Sequence, residues 1–278
     1  MRTIRVGQGL LAIGSVGLAI VTLTCGDFAL LGQSLPAWLP WREAWVYGCA
    51  LPVLAAGVGL CFPGTAIISA LTIGAYHLVW AATCIPNILS NPLTVGAWYG
   101  FCEAMTSLVG AWILYALLRW PSRGSEMPRT GWHAVRVAQV VFGLTCIFYG
   151  WSHFAYAQYT ASMVPVWLPN RLGFAYVTGL GHIAAGIGIA IGILPRLAAI
   201  LEATMMSLFG LLVWVPSFFT QPRPQWATST QSQWSELVLN LLLAASAWIV
   251  SASVHRVAGT VSNARRVARA STGAPPPG

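Results

Sequence analysis

Six ionisable side chains stand at or inside otherwise apolar stretches of this sequence: Asp27, His77, Glu103, His153, His182 and Glu236. If the apolar stretches are read as eight membrane spans, all six gather toward one end of the bundle. Glu103 then lies about 10 Å, Glu236 about 8 Å and His182 about 15 Å from the outer end of its span, at 1.5 Å of rise per residue. His77 falls in the outer half of its span, and Asp27 and His153 take equivalent outer ends of the first and fifth. Glu202 alone belongs to the other half. Ionisable groups at such depth cost a few kcal/mol to insert, so they mark substrate contacts or proton pathways by default.

The chemistry open to these residues is proton exchange and hydrogen bonding, since imidazole titrates near neutrality and carboxyl groups give and take protons. A polar pocket opening outward is the sharp expectation, with His182, His77, Glu103 and Glu236 as its proton-transfer candidates. The competing expectation makes Glu103 and Glu236 structural locks bonded to a loop Arg or Trp. It makes His153 an interfacial anchor. No catalytic residue is assigned.

Metal chemistry has little support in the spacing. His77 and His182 are the one deeply placed pair that could hold a haem iron axially, but the sequence has no Cys-x-x-Cys-His, no His-x-x-x-His and no Glu-x-x-His. Haem is therefore not expected, and no metal ligand is assigned. The six cysteines, Cys25, Cys49, Cys61, Cys84, Cys102 and Cys146, include no Cys-x-x-Cys pair. They read as small buried hydrophobes rather than as a thiol relay.

The elements that must position these groups are helices. Of 278 residues, 57% are hydrophobic and 7% charged, against about 25% charged in a soluble domain. A spanning helix takes roughly 20 apolar residues, and the chain supplies such stretches at 6–26, 44–62, 65–85, 96–119, 133–152, 172–193, 197–216 and 231–252. Every one of the basic residues behind the net charge of +8 is Arg. Eleven, including Arg2, Arg119, Arg129, Arg136, Arg196 and Arg256, fall on one side of this arrangement, and Arg42, Arg171 and Arg223 on the other. The positive-inside rule then makes both termini cytoplasmic, in a bacterial inner membrane. The lipid bilayer is the expected partner, and nucleic acid is not. The stretch from Arg2 to Cys25 superficially resembles a cleaved leader, but Thr24 is a poor residue before a lipidated Cys.

An internal repeat organises the chain. Trp38-Leu39-Pro40 recurs as Trp167-Leu168-Pro169, Arg42 meets Arg171, and Ala55-Ala56-Gly57-Val58-Gly59 meets Ala184-Ala185-Gly186-Ile187-Gly188. Arg5-Val6-Gly7-Gln8 is echoed by Arg136-Val137-Ala138-Gln139, and Phe101-Cys102-Glu103 by Trp234-Ser235-Glu236. The expected fold is an all-α integral membrane protein of eight transmembrane helices, built as two parallel four-helix repeats. The repeats occupy 1–120 and 133–254, joined by a cytoplasmic linker at 121–132 and followed by a disordered basic tail at 255–278. The glycine pairs of the second and sixth spans read as close helix packing.

Gly150-Trp151-Ser152-His153-Phe154, Val164-Pro165-Val166-Trp167-Leu168-Pro169, Gly179-Leu180-Gly181-His182 and Pro86-Asn87-Ile88 resemble the DoxX and DoxX-like family of four-helix membrane proteins. The resemblance covers most of each half and implies a tandem duplication of that unit. The family includes the membrane subunit of a thiosulfate:quinone oxidoreductase and partners of oxidative-stress proteins. Where members commonly carry Glu in the unit's second helix, this chain has Val53 and His182. The resemblance implies a membrane-embedded subunit or accessory protein of a quinone-linked redox system, with redox or membrane-complex subunits as partners. A transporter or binding protein for a small lipophilic solute or lipid is the alternative, and a structural subunit of a larger membrane complex a third.

Overall fold

The computed structural model describes residues 2–29, 38–120 and 127–272. Their long elements are α1 (Arg2–Cys25), α2 (Arg42–Gly59), α3 (Ala66–Ser90), α4 (Val95–Arg119), α5 (Arg129–Ala155), α7 (Arg171–Ile191), α8 (Pro195–Phe209) and α10 (Thr230–Thr272). A short α6 (Ala157–Met163) follows α5, and α8 runs through a π-helical turn at Gly210–Trp214 into α9 (Val215–Ser217). Among the described residues there is no strand.

Among the described residues seven helices are long and apolar enough to cross a membrane, with Pro195–Ser217 counted as one. This is the construction of a multi-pass helical membrane protein, because a helix satisfies its own backbone hydrogen bonds where no water can. The second expected span, α2, is not among the seven. Its 18 residues open on Arg42 and Glu43, which puts two charges within a length barely enough to span.

Other boundaries also moved. α3 continues through Pro86 to Ser90 instead of ending at 85, and α6 was not foreseen. The backbone at 255–272, expected to be an unordered tail, continues α10 as helix. Extending an existing helix needs no new nucleus, and the Ala and Arg of that segment are strong helix formers. Most of the expected linker, 121–126, lies outside the described residues.

Neighbouring helices pack in a closed order. α1 lies against α2, α2 against α3, α3 against α4 and α4 against α5; α5, α7, α8 and α10 follow in the same way, and α10 returns to α1. α4 and α10 meet across the centre. α5 and α7 bring their backbones together, so that a Cβ at Gly143 would stand 2.5 Å from the Gly186 carbonyl oxygen. Only glycine permits that approach. α7 starts at Asn170, whose side chain accepts from the Gly173 amide at 3.1 Å, and stops at Gly192, where φ is +83°. Pro195 then opens α8 at a position where its missing N–H leaves no bond unmade. This sharp turn lays α7 and α8 side by side, so residues at similar distances from it share a level.

Candidate functional site

A cavity of about 1050 Å³ lies where the two halves of the chain meet, bounded by α4, α5, α6, α7, α8 and α10 and touched by the end of α3. It sits beneath the loop that carries Pro165 and Leu168. Leu201 and Leu208 of α8 and Leu212 of the π-helical turn form part of its wall and are also exposed on the outer surface. The cavity therefore reaches the lipid-facing side of the bundle as well as its interior.

Four of the six expected residues line this one space: Glu103 from α4, His153 from α5, His182 from α7 and Glu236 from α10. Glu103 and Glu236 lie within electrostatic reach of one another. Among the described residues the acid–base pairs are Arg42 with Asp27 and His182 with Glu202. Among the described residues neither cavity carboxyl is paired with an arginine, one of the two partners, loop Arg or Trp, expected of a structural lock.

His182 is 1% exposed and Glu202 2%, and His182 Nδ1 stands 2.8 Å from Glu202 Oε1. With Glu202 ionised, Nδ1–H donates and Nε2 keeps its lone pair free for a ligand or a proton. Glu202 Oε2 is buried without a partner, and Cys146 of α5 lies beside the carboxyl. A half-satisfied buried carboxylate is costly, and such groups are retained in membranes chiefly where they function.

Around this pair the rings close in. The His153 ring lies 5.1 Å from that of His182 at 78°, and Tyr149 lies 6.0 Å from His182 on another side. Phe209 covers both imidazoles at 5.8–6.0 Å. His153 is held in place by its Nδ1, 3.0 Å from Thr178 Oγ1. The four-ring cluster gives a flat ligand apolar faces to stack on, with imidazole edges for hydrogen bonds.

A second polar stripe, unforeseen, joins α4 to α5. Tyr99 OH donates to Ser152 Oγ at 2.5 Å, and Ser152 donates onward to the Tyr149 carbonyl at 2.6 Å. Deeper, Thr106 Oγ1 is 2.9 Å from both Thr145 Oγ1 and Tyr149 OH. Tyr99, Glu103 and Thr106 recur at helical spacing on α4, as do Thr145, Tyr149 and Ser152 on α5, so the stripe had a sequence signal. None of its hydroxyls carries charge, and a search for ionisable groups passes over them.

Two expected residues lie elsewhere. His77 is fully buried in the first half, donates from Nδ1 to the Ile73 carbonyl at 2.8 Å, and sits between the rings of Tyr76 and Trp80. The cavity touches α3 only at Cys84 and Asn87, about 10 Å or more along the helix from His77. His77 and His182 are therefore not placed to share a haem. Asp27 accepts from Arg42 at 2.7 Å and from its neighbour's amide, Phe28 N, at 2.7 Å. It ties the end of α1 to the start of α2 and does not line the cavity. Glu202, set apart by depth in the sequence reading, is the direct partner of His182. The sharp turn at Gly192–Pro195 brings the two level. Among the described residues no group of three or more His, Cys, Asp or Glu is placed to hold a metal ion.

A family model described only as a domain of unknown function, DUF8561, matches residues 142–251. That stretch contains His153, His182, Glu202 and Glu236 but stops short of Glu103 and the first half. No curated protein and no solved structure matches the chain.

Proposed function

We propose that this chain is a membrane-embedded subunit or accessory protein of a quinone-linked redox system, and that the cavity binds the quinone head. The observation that carries this reading is the convergence of His153, His182, Glu103 and Glu236 on one ring-lined space open to the lipid side. A quinone is flat, lipophilic and bears two carbonyl acceptors, which suits stacking on Phe209 and Tyr149 with hydrogen bonds at its edges. In the reaction, quinone takes two electrons from the redox centre of a partner subunit and two protons to become quinol; the reverse releases them. The His182–Glu202 pair and the two cavity carboxyls are the groups that would hand over those protons.

The proposal includes eight spans, with α2 crossing as the eighth, two parallel DoxX-like repeats, and both termini on the cytoplasmic side of a bacterial inner membrane. Supporting the repeats, Trp41 and Asn170 both take left-handed backbone, with φ of 58° and 49°, immediately before α2 and α7. They are the residues that follow the two Trp-Leu-Pro motifs.

Solvent extraction of the purified protein is expected to recover bound quinone, and His182→Ala to lower its content at least tenfold. Absence of quinone from the parent, or an unchanged content in the variant, overturns the reading. The exposed Leu201 and Leu208 on the cavity wall also suit a carrier of lipophilic solutes. Solute flux through reconstituted liposomes, without quinone in the extract, would favour that second reading.

A further inference from the structure

A second hollow of about 860 Å³ runs along the outside of the bundle between α1, α8 and α10. It follows α1 from Leu10 to Cys25, about 20 Å at 1.5 Å per residue. Ile13, Gly17, Leu211 and Leu241 give its walls a hydrocarbon character. Its hydroxyls are already engaged: Thr24 donates to the Ile20 carbonyl at 2.9 Å, Ser207 to that of Ala203 at 2.7 Å, and Thr230 at its end accepts from Arg223 at 2.8 Å.

This groove and the polar cavity share two wall residues, Met206 of α8 and Asn240 of α10. The seam between them is thin. Gly210 opens the π-helical turn there, and a Cβ on it would come no closer than 3.7 Å to Leu237 and 4.0 Å to Asn240. Methionine is the most adaptable of apolar side chains, so the Met206 side of the seam can yield. Asn240 is 8% exposed; its Nδ2 donates to the Glu236 carbonyl at 3.1 Å, while Oδ1 is buried without a partner. A buried amide oxygen left unpaired is a cost that a ligand hydroxyl would remove.

We propose that the groove holds the hydrocarbon tail of the molecule whose head occupies the cavity, with the tail crossing the seam at Met206 and Asn240. The assignment rests on the quinone reading and narrows it to tailed, membrane-resident quinones. In the quinol form, a ring hydroxyl beside the tail meets the Asn240 amide oxygen. The shared walls, the length of the groove and its mainly apolar lining select a chain of this kind over a second compact ligand.

The test uses two ligands with one head group, a benzoquinone carrying a decyl tail and the same ring carrying a methyl in its place. Binding of each is measured by calorimetry on the full-length protein in detergent. Ile13 and Leu211 are 62% and 61% exposed, so Ile13→Trp and Leu211→Trp fill the groove without entering the core. Each is expected to weaken the decyl compound about tenfold, the equivalent of roughly two buried methylenes, and to leave the methyl compound within about twofold of the parent. Unchanged decyl affinity in both variants overturns the proposal and gives the groove to a bilayer lipid. Equal weakening of both ligands also overturns it. If the methyl compound fails to bind the parent protein, the quinone reading itself falls and takes the tail with it. Selective loss of the decyl compound has no such effect on that reading.

Discussion

Gly57 and Gly186 answer to one another in the sequence repeat, and each lies where its helix presses closest on the preceding one. A Cβ at Gly57 would stand 2.9 Å from the Val16 amide nitrogen, and one at Gly186 would stand 2.9 Å from that of Ile147. The chain is thus packed by the same contact in both halves. At the neighbouring positions the halves part. His182 of the second half corresponds to Val53, which is 1% exposed in the apolar interior. Glu202 corresponds, on the register of Pro86 and Pro216, to Thr72, which bonds its own helix at the Ile68 carbonyl. Packing positions have been kept while the polar pair occurs on one side only. On the proposed duplication, one repeat carries the polar pair, and α3 and α4 of the other complete the cavity wall.

Moving the first half's residues into the second should give the largest effect. His182→Ala leaves the Glu202 carboxyl buried without its hydrogen-bond donor, and removing one member of a buried pair costs about 3–5 kcal/mol. The double variant His182→Val with Glu202→Thr carries the first half's pattern, leaves no orphan charge and should recover most of that loss. It should still bind no quinone. Thermal unfolding in detergent together with quinone content checks both statements, and a double variant as unstable as the single one would show that the pair is not what makes the site costly.

Next come the glycine seams, where the halves should behave alike. Gly57→Val and Gly186→Val each force a side chain against backbone, and overpacking of this kind costs about 1–3 kcal/mol. Melting shifts that differ strongly between the two would break the equivalence of the seams.

Much of the frame was legible in the sequence because it depends on patterns that survive projection onto one dimension. Long apolar runs, the Trp-Leu-Pro motif before α2 and α7, and the glycine pairs each declare a local requirement. The cavity set was legible in part: His153, His182, Glu103 and Glu236 stand out as charges among apolar neighbours. Glu202 was set apart because depth was counted along separate spans, while the turn at Gly192–Pro195 folds α8 back so that residues 182 and 202 come level. His77 was misplaced for the opposite reason. Its depth is suitable, but it packs among Ile73, Tyr76 and Trp80 of its own helix, and α3 meets the cavity only at Cys84 and Asn87. Depth can be read by counting, whereas helix phase and packing partners cannot. The short α6 and the π-helical turn after Phe209 depend on tertiary contacts and left no pattern to follow.

Glu103 and Glu236 test the comparison more gently, since the repeat relates them and the cavity joins them. Glu103→Gln and Glu236→Gln keep size and shape and break no ion pair, so each should change stability by less than about 1 kcal/mol. Quinol turnover with the partner subunit should fall in both variants, because an amide cannot exchange the proton that a carboxyl can. Loss of stability without loss of turnover would return the two residues to the role of structural locks.

The smallest effect belongs to Asp27. Its carboxyl is 49% exposed and its Arg42 partner 27%, and ion pairs so open to solvent contribute about 0–1 kcal/mol. Asp27→Asn should lower the melting temperature slightly at low ionic strength and hardly at all in high salt, where screening already weakens the pair. Quinone content should not change, since Asp27 lies at the α1–α2 junction and touches no wall of the cavity. A drop in quinone content as large as that of His182→Ala would mean that the α1–α2 junction is coupled to the site, as α4 is through Glu103, and its role as a remote tie would fail.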